Sequence, residues 1–160
     1  MSDSSKPANS ELISDKDRRF QRFKDGFEEE NPYALDLLKG HLLVEEVLEE
    51  IIFAACRKPD IARDSRMSFY TKAKLAEAIC GVPSPVWQCI EHLNHVRNEL
   101  AHGKNLPRLE SKIDAYLSCS RQQFPRVTWE SERLDNLVLA IISTHAGISG
   151  LAAGWLEAEA

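Results

Sequence analysis

The sequence predicts an all-α protein, folded as a single bundle of five to six mostly antiparallel helices. Apolar residues recur at intervals of three and four along most of the chain, which is the spacing of one face of an α-helix. Capping residues and short polar links separate these stretches. Helices joined by short links pack beside their neighbours in the chain, so a bundle is the expected architecture.

Length and composition indicate one soluble globular domain. The chain has 160 residues, of which 43% are hydrophobic and 28% are charged. That length supports a single core, and the composition is ordinary for a globular protein. The net charge of −5 gives no support for broad nucleic-acid binding, which needs a basic surface, although it leaves room for a local basic patch.

The four cysteines indicate neither a metal site nor a disulfide framework. No two of them form a C-x2-C pair, and no histidine stands at zinc spacing from them. We expect reduced, mostly buried thiols in a cytoplasmic protein. The polar N-terminus lacks the apolar segment of a secretion signal. No Gly-rich phosphate loop, serine elbow or HExxH motif is present, so we expect no cofactor.

Residues 1–13 are predicted to form a mobile tail, followed by a single helical domain over residues 14–160. A first helix is predicted from Ser14 to Phe27. It contains the most basic part of the chain, with Arg18, Arg19, Arg22 and Lys24. These residues either form an arm that touches phosphate or an acidic partner, or belong to a solvated face. The acidic residues between them favour the solvated face.

A second, long helix is predicted from Asn31 to about Cys56, with Asn31 as its cap and Pro32 in its first turn. Its apolar face is wide, and four glutamates gather on the opposite side: Glu45, Glu46, Glu49 and Glu50. The next segment, Arg57–Arg66, holds a proline and several charges and is predicted to be a loop. A short third helix follows over Ser68–Cys80, and a Gly-Val-Pro sequence ends it.

The fourth helix, Ser84–Gly103, is strongly amphipathic and opens with Ser84 and Pro85, a favourable capping pair. At about 100° per residue, Arg97 falls in the middle of its apolar face. A guanidinium buried there needs a partner. Two alternatives are open for the glutamates of the second helix: they form an acidic solvent face, or Glu45 or Glu49 neutralises Arg97, since an arginine and a carboxylate form a strong fork-like pair.

After Gly103, the sequence KNLP predicts a turn, and a fifth helix runs from about Leu109 to Ser120. Ser131 is the expected cap of the last helix, Glu132 to about Glu157. Its stretch from Leu137 to Leu156 has no charged residue and is long enough for a membrane span. Polar interruptions and the lack of a basic flank favour a central bundle helix or a dimer face instead. Four small residues would let another helix approach: Ser143, Gly147, Gly150 and Gly154.

The segment RNELAH, from Arg97 to His102, resembles the Rx4-6H motif of HEPN domains, which are small all-helical domains of prokaryotic toxins, CRISPR effectors and some eukaryotic proteins. The resemblance covers this motif and the order of helices around it, over about Asn31–Ala158. It implies a homodimer in which two motifs face one cleft and cleave RNA without a metal. His102 would then exchange protons with the reacting oxygens, Arg97 would stabilise the phosphorane, and Asn98 would orient the pair.

The same phrase, RNxxAH, is also typical of non-catalytic relatives such as the mannitol operon repressor family. That resemblance implies a helical dimer that binds a protein partner, with Arg97 buried against a glutamate and His102 left on the surface. No helix-turn-helix with a basic recognition helix is evident, so direct DNA binding is not expected. A metal site of Glu91, His95 and His102 is a further hypothesis, less favoured because exposed His and Glu are common on helices.

Overall fold

The computed structural model describes the backbone of residues 31–102 and 106–159, and the side chains of all of these except His102 and Glu159. The predicted tail and the predicted helix Ser14–Phe27 lie outside these residues and stay predictions. The described residues from Tyr33 onwards form one compact unit. Within the described part every regular element is a helix, so the predicted all-α bundle is confirmed.

Six helices make up the described part of the chain: α1 (Ala34–Ala55), α2 (Pro59–Asp64), α3 (Phe69–Cys80), α4 (Val86–His102), α5 (Leu106–Gln123) and α6 (Arg133–Glu159). The closest pairs are α1 with α6, α4 with α5, and α1 with α3. The core between them is apolar and closely filled. Its largest fully buried side chains are Leu37, Val44, Leu48, Ile51, Ile52, Ile90, Leu93, Val96, Ile113, Tyr116, Leu137 and Ile148.

The start of α1 differs from the prediction. The helix begins at Ala34, and the residue in the cap position is Tyr33, whose side chain makes no capping hydrogen bond. Asn31 and Pro32 therefore precede the helix instead of forming its cap and first turn. The helix ends at Ala55, where the Cys56 N–H donates to the Phe53 carbonyl oxygen over 3.2 Å, close to the predicted end.

The predicted loop Arg57–Arg66 is wrong in its centre, because α2 forms there. Pro59 occupies the first turn, where its missing N–H costs nothing. Asp60 and Arg63 also place opposite charges at the favourable ends of the helix and form an ion pair of 3.1 Å. The charges that suggested a loop are therefore the residues that support this short helix.

The limits of α3 match the prediction closely. The Ser68 hydroxyl accepts a hydrogen bond from the Thr71 N–H over 3.1 Å and caps the helix. At the other end, Gly81 takes the left-handed conformation with a φ of 62°, and its N–H donates to the Glu77 carbonyl oxygen over 3.0 Å. A side chain would be strained at this φ, so the glycine lets the chain leave α3 and turn towards α4.

The helix α5 begins earlier than predicted, at Leu106, so Leu106 and Pro107 belong to its first turn rather than to a preceding turn. It is joined to α4 by residues 103–105. Two buried thiols lie between the two helices, with the Cys89 and Cys119 sulfur atoms 3.5 Å apart. Burial raises the pKa of Cys89 to about 12, and the neighbouring Cys119 adds to this shift, so the Cys89 thiol stays protonated near neutral pH.

The last helix, α6, packs one face against the bundle through Leu137, Ala140, Ile148 and other buried residues. Its buried Thr144 hydroxyl forms a hydrogen bond of 2.8 Å with the Tyr116 hydroxyl of α5. By length and composition alone α6 also meets the requirements of a membrane span. Those two criteria do not distinguish a span from the core helix of a bundle.

The predicted small residues of α6 serve different purposes. A β-carbon added at Gly147 would lie 2.9 Å from a methyl carbon of Val86, so this glycine lets the start of α4 approach α6. Gly150 and Gly154 face open space, because no atom of the described residues lies within 4 Å of where a β-carbon would be. Gly40 of α1 was not singled out from the sequence, yet a side chain added there would collide with Ile141 of α6.

Candidate functional site

The candidate site consists of Arg97, Asn98 and His102 in the last turns of α4. The first turn of this helix is fixed by Ser84, whose hydroxyl accepts a hydrogen bond from the Val86 N–H over 3.4 Å. Its apolar face is anchored by Ile90, Leu93 and Val96, each fully buried. The helix is therefore held along most of its length, which sets where its C-terminal residues lie.

Arg97 is half-buried rather than enclosed in the core. It lies near the end of α4, where the neighbouring Leu100 is half-buried and Ala101 is exposed. The apolar face extends beyond the core at this point. The Arg97 Nη1 atom donates to the Asn98 Oδ1 atom over 3.4 Å, a long hydrogen bond that turns the guanidinium towards the polar side of the helix.

The prediction that Glu45 or Glu49 neutralises Arg97 is wrong. Both carboxylates bind Lys72 of α3 instead, each with an Oε1 atom 2.6 Å from the Lys72 Nζ atom. The Lys72 side chain is only 12% exposed. Burial lowers the pKa of Lys72, but the hydrogen bonds and charges of the two glutamates outweigh burial and raise it overall. Arg97 has no carboxylate within ion-pair distance in the part of the chain that the structure describes.

A buried histidine that was not predicted from the sequence lies beside this ion-pair network. His41 of α1 is 5% exposed, its ring stacks on Phe69 with centroids 3.9 Å apart, and its Nδ1 atom is 3.9 Å from the Glu45 carboxylate. Its Nε2 atom is buried without a hydrogen-bond partner among the described residues. The sequence spacing indicates that this histidine is buried. His41 follows Leu37 by four residues and precedes Val44 by three, which places it on the apolar face of α1.

The electrostatic environment keeps His41 neutral. Burial is the largest cause and lowers its pKa below the ordinary value of 6.5, and the positive charges of Arg97 and Lys72 act in the same direction. Glu45 and the buried Asn94 offset only part of this effect. The Arg97 charge therefore contributes to the lowered pKa of His41, while the Arg97 guanidinium itself contacts Asn98.

A groove of about 400 Å³ opens between α4 and α5 beside Asn98. It is lined by His95, Asn98, Glu99, Arg108 and Lys112, and we refer to it as the α4–α5 groove. The Glu99 carboxylate is paired with the Arg108 Nε atom at 3.0 Å. Since Asn98 belongs both to the candidate site and to this groove, a ligand in the groove would lie next to the Arg97 guanidinium.

The structure brings Arg97 and Asn98 into contact, but it does not test the convergence of Arg97 and His102. His102 is the final residue of α4, and its side chain is outside the described part of the structure. On a regular helix its direction is about 140° from that of Arg97 and close to that of Asn98. The role implied for His102 by the HEPN resemblance stays a prediction.

The metal-site hypothesis gains no support from the described side chains. Glu91 is bound by Lys74 of α3, which also contacts Glu77. His92 and His95 lie edge to face with ring centroids 6.3 Å apart. Among the described residues, no group of three His, Cys, Asp or Glu side chains is arranged to hold a metal ion.

Comparisons with protein-family models, with curated proteins and with solved structures find no match to this chain. The resemblance to HEPN domains therefore rests on the RNELAH motif and on the helix order around it.

Proposed function

We propose that the protein is a HEPN-like endoribonuclease of the toxin or defence type, which cleaves RNA without a metal and acts as a homodimer. The observation that carries this proposal is the set of contacts made by the Arg97 guanidinium. Its guanidinium has no carboxylate partner among the described residues and contacts Asn98 at the edge of a surface groove. An arginine that served only as one half of a buried ion pair would be matched by a glutamate, and both candidate glutamates bind Lys72.

The proposed reaction is an internal transesterification. The 2′-oxygen of a ribose attacks the adjacent phosphorus, the bond from phosphorus to the 5′-oxygen breaks, and the products are a 2′,3′-cyclic phosphate and a 5′-hydroxyl. His102 removes the proton of the 2′-hydroxyl and returns it to the leaving 5′-oxygen, so the two proton transfers balance. Arg97 stabilises the negative charge of the phosphorane. Asn98 accepts the Arg97 hydrogen bond and so orients the guanidinium.

Cleavage of a labelled RNA by the purified protein in the presence of EDTA tests this proposal. His102→Ala is expected to lower the rate by about 100-fold or more, because it removes the proton-transfer group. Arg97→Ala should lower it by about 100-fold through the loss of charge stabilisation. His145→Gln, on α6, is the control histidine and should keep the wild-type rate. Circular dichroism must show that each variant is folded.

The outcomes separate the two interpretations of the motif. Metal-independent cleavage that is lost in folded His102→Ala protein, with a cyclic phosphate on the product, supports the nuclease. A folded wild-type protein that leaves RNA intact contradicts it. Unfolding of Arg97→Ala in that case would make Arg97 a structural residue.

A second candidate function is a non-catalytic regulator or protein-interaction module, similar to the mannitol operon repressor family. The observation that favours it is an exposed apolar stripe on α1, formed by Leu35, Leu38 and Leu42, which are 61%, 45% and 58% exposed. Apolar side chains grouped on one helix face commonly mark a protein contact. In this alternative the stripe binds a partner protein, and the absence of RNA cleavage would favour it.

A further inference from the structure

The α4–α5 groove carries a positive balance on a chain whose net charge is −5. Among the described residues that line it, Glu99 is the one carboxylate, and it is largely buried and bound by Arg108, so these two charges cancel. Lys112 of α5 is half-buried and has no carboxylate partner within the described chain. The charge that remains in the groove is therefore the Lys112 ammonium, with the exposed His95 ring beside it.

Hydrogen-bond donors lie in or next to the same groove. The Asn98 amide lines the groove, and the Arg97 guanidinium lies 3.4 Å from that side chain. His92 stands near the same residues, and its pKa is lowered by burial and by the charges of His95 and Lys112. A site with a free ammonium, amide N–H groups and imidazole nitrogens is suited to an anion with several oxygen acceptors, such as a phosphate group.

A second groove of the described surface has the opposite character. It has a volume of about 510 Å³ and lies between α1 and α2. Its described lining includes Glu46, Glu50 and the Lys72-bound Glu49, against one cation, Arg63. A polyanion would be repelled there and attracted to the α4–α5 groove. The charge pattern thus distinguishes one face of the bundle from the other.

We propose that the α4–α5 groove binds a backbone phosphate of single-stranded RNA, with Lys112 as its principal cation and His95 as a second donor. The inference rests on the proposed ribonuclease function, and it adds a binding subsite on α5 next to the reacting phosphate at Arg97 and Asn98. Lys112 touches a neighbouring phosphate rather than the reacting atoms, so it is a positioning residue. Its effect should appear in RNA affinity and KM, with kcat little changed.

The test separates binding from cleavage by using a fluorescein-labelled, fully 2′-O-methylated RNA of about 12 nucleotides, which has no free 2′-hydroxyl to attack. Fluorescence anisotropy with the wild-type protein gives Kd over a range of salt concentrations. Lys112→Ala should raise Kd by about 3- to 10-fold. It should also reduce the slope of log Kd against log salt concentration by about 0.7, the contribution of one neutralised phosphate on a single strand. Lys112→Arg should restore affinity. Lys39→Ala, which removes an exposed lysine of α1, is the matched control and should leave Kd within about twofold.

The inference and the ribonuclease proposal fail in different ways. RNA binding that depends on Lys112, without cleavage of unmodified RNA, would keep the groove assignment and overturn the nuclease. Cleavage and binding that are both unchanged in Lys112→Ala would overturn the groove and keep the nuclease. No binding of the methylated RNA overturns the groove assignment, and so does preferential binding of a glutamate-rich peptide, which would make the groove a protein contact.

Discussion

Two lysines of α3 show how strongly the surroundings of a side chain determine its energetic role. Lys72 and Lys74 each bind two glutamates, but Lys72 is 12% exposed and Lys74 is 42% exposed. Lys72 joins α3 to Glu45 and Glu49 of α1. Lys74 joins Glu77 of its own helix to Glu91 of α4. Burial makes removal of one partner costly, because the remaining charges stay poorly solvated.

Lys72→Met should therefore lower the free energy of unfolding by about 1–3 kcal/mol, since it leaves two half-buried carboxylates without their cation. Lys74→Met is the matched control. It should cost less than about 1 kcal/mol because exposed ion pairs contribute little. Urea unfolding of the two variants at neutral pH measures the difference. If both variants lost the same free energy of unfolding, the buried ion pairs of Lys72 would contribute no more to stability than the exposed ion pairs of Lys74.

At the scale of single residues, the sequence predicted the caps of α3 and α4 and the break after α3. It did not predict the start of α1, or that α6 begins at Arg133, two residues after the expected cap Ser131, and it predicted the partners of charged groups poorly. Ser68, Gly81 and Ser84 have the predicted roles because a cap or a left-handed turn depends on a few neighbouring residues. The partner of Glu45 and Glu49 depends on how α1, α3 and α4 pack. Lys72 binds both glutamates from α3. The spacing of residues along the sequence does not show whether Lys72 or Arg97 would be their partner.

At the scale of elements, Gly40 lies at a close contact between α1 and α6 that leaves no room for a side chain. Gly40 lies against Ile141, whose β-branched side chain has few alternative rotamers. Because both residues are in the interiors of helices, the close approach of the helix axes at this point requires the absence of a side chain. Gly150 of α6 is also helical, but it faces open space.

Gly40→Ala is expected to destabilise the protein by about 1–2 kcal/mol, because the overpacking cost exceeds the gain in helix propensity. Gly150→Ala should stabilise it by about 0.5–1 kcal/mol, since alanine favours the helix and meets no neighbour. Thermal unfolding of the two variants, followed by circular dichroism, should therefore shift in opposite directions. A stabilising effect of Gly40→Ala would mean that α1 and α6 can move apart at little cost.

The elements that the sequence predicted incorrectly are those in which polar residues support a helix. The predicted loop Arg57–Arg66 contains α2, since Pro59, Asp60 and Arg63 occupy positions where a proline and charges are favourable. Pro107 likewise lies in the first turn of α5. The long apolar helices were predicted within a few residues, because a sustained period of three to four residues is specific to an α-helix.

At the scale of the whole molecule, the homodimer stays a prediction, and α1 offers a surface to test it. Leu35, Leu38 and Leu42 recur at three and four residues and form one exposed stripe. We expect the wild-type protein to have twice its chain mass of 18.1 kDa in light scattering at micromolar concentration. The double substitution Leu38→Glu and Leu42→Glu should raise the dimer dissociation constant by about tenfold or more, because it places charges in an apolar contact.

Ile61→Glu is the control for this experiment, since Ile61 is 65% exposed on α2, away from the leucine stripe. It should leave the mass of the dimer unchanged. A monomeric wild-type protein, or a double variant that still dimerises fully, would exclude the stripe as the dimer contact. The second result would make the face of α6 that contains Gly150 and Gly154 the next candidate for the dimer contact.

The pairing of α4 with α5 also has a consequence for how the protein folds. Arg97 and Asn98, together with the described residues that line the α4–α5 groove, lie between His95 and Lys112, on two helices joined by three residues. Contacts so close in sequence need little loop-closure entropy, so we expect them to form early in folding. By contrast, the contact of α1 with α6 joins the two ends of the described chain, and we expect it to form later. The proposed RNA-binding face would therefore be assembled as a helical hairpin before the rest of the core closes around it.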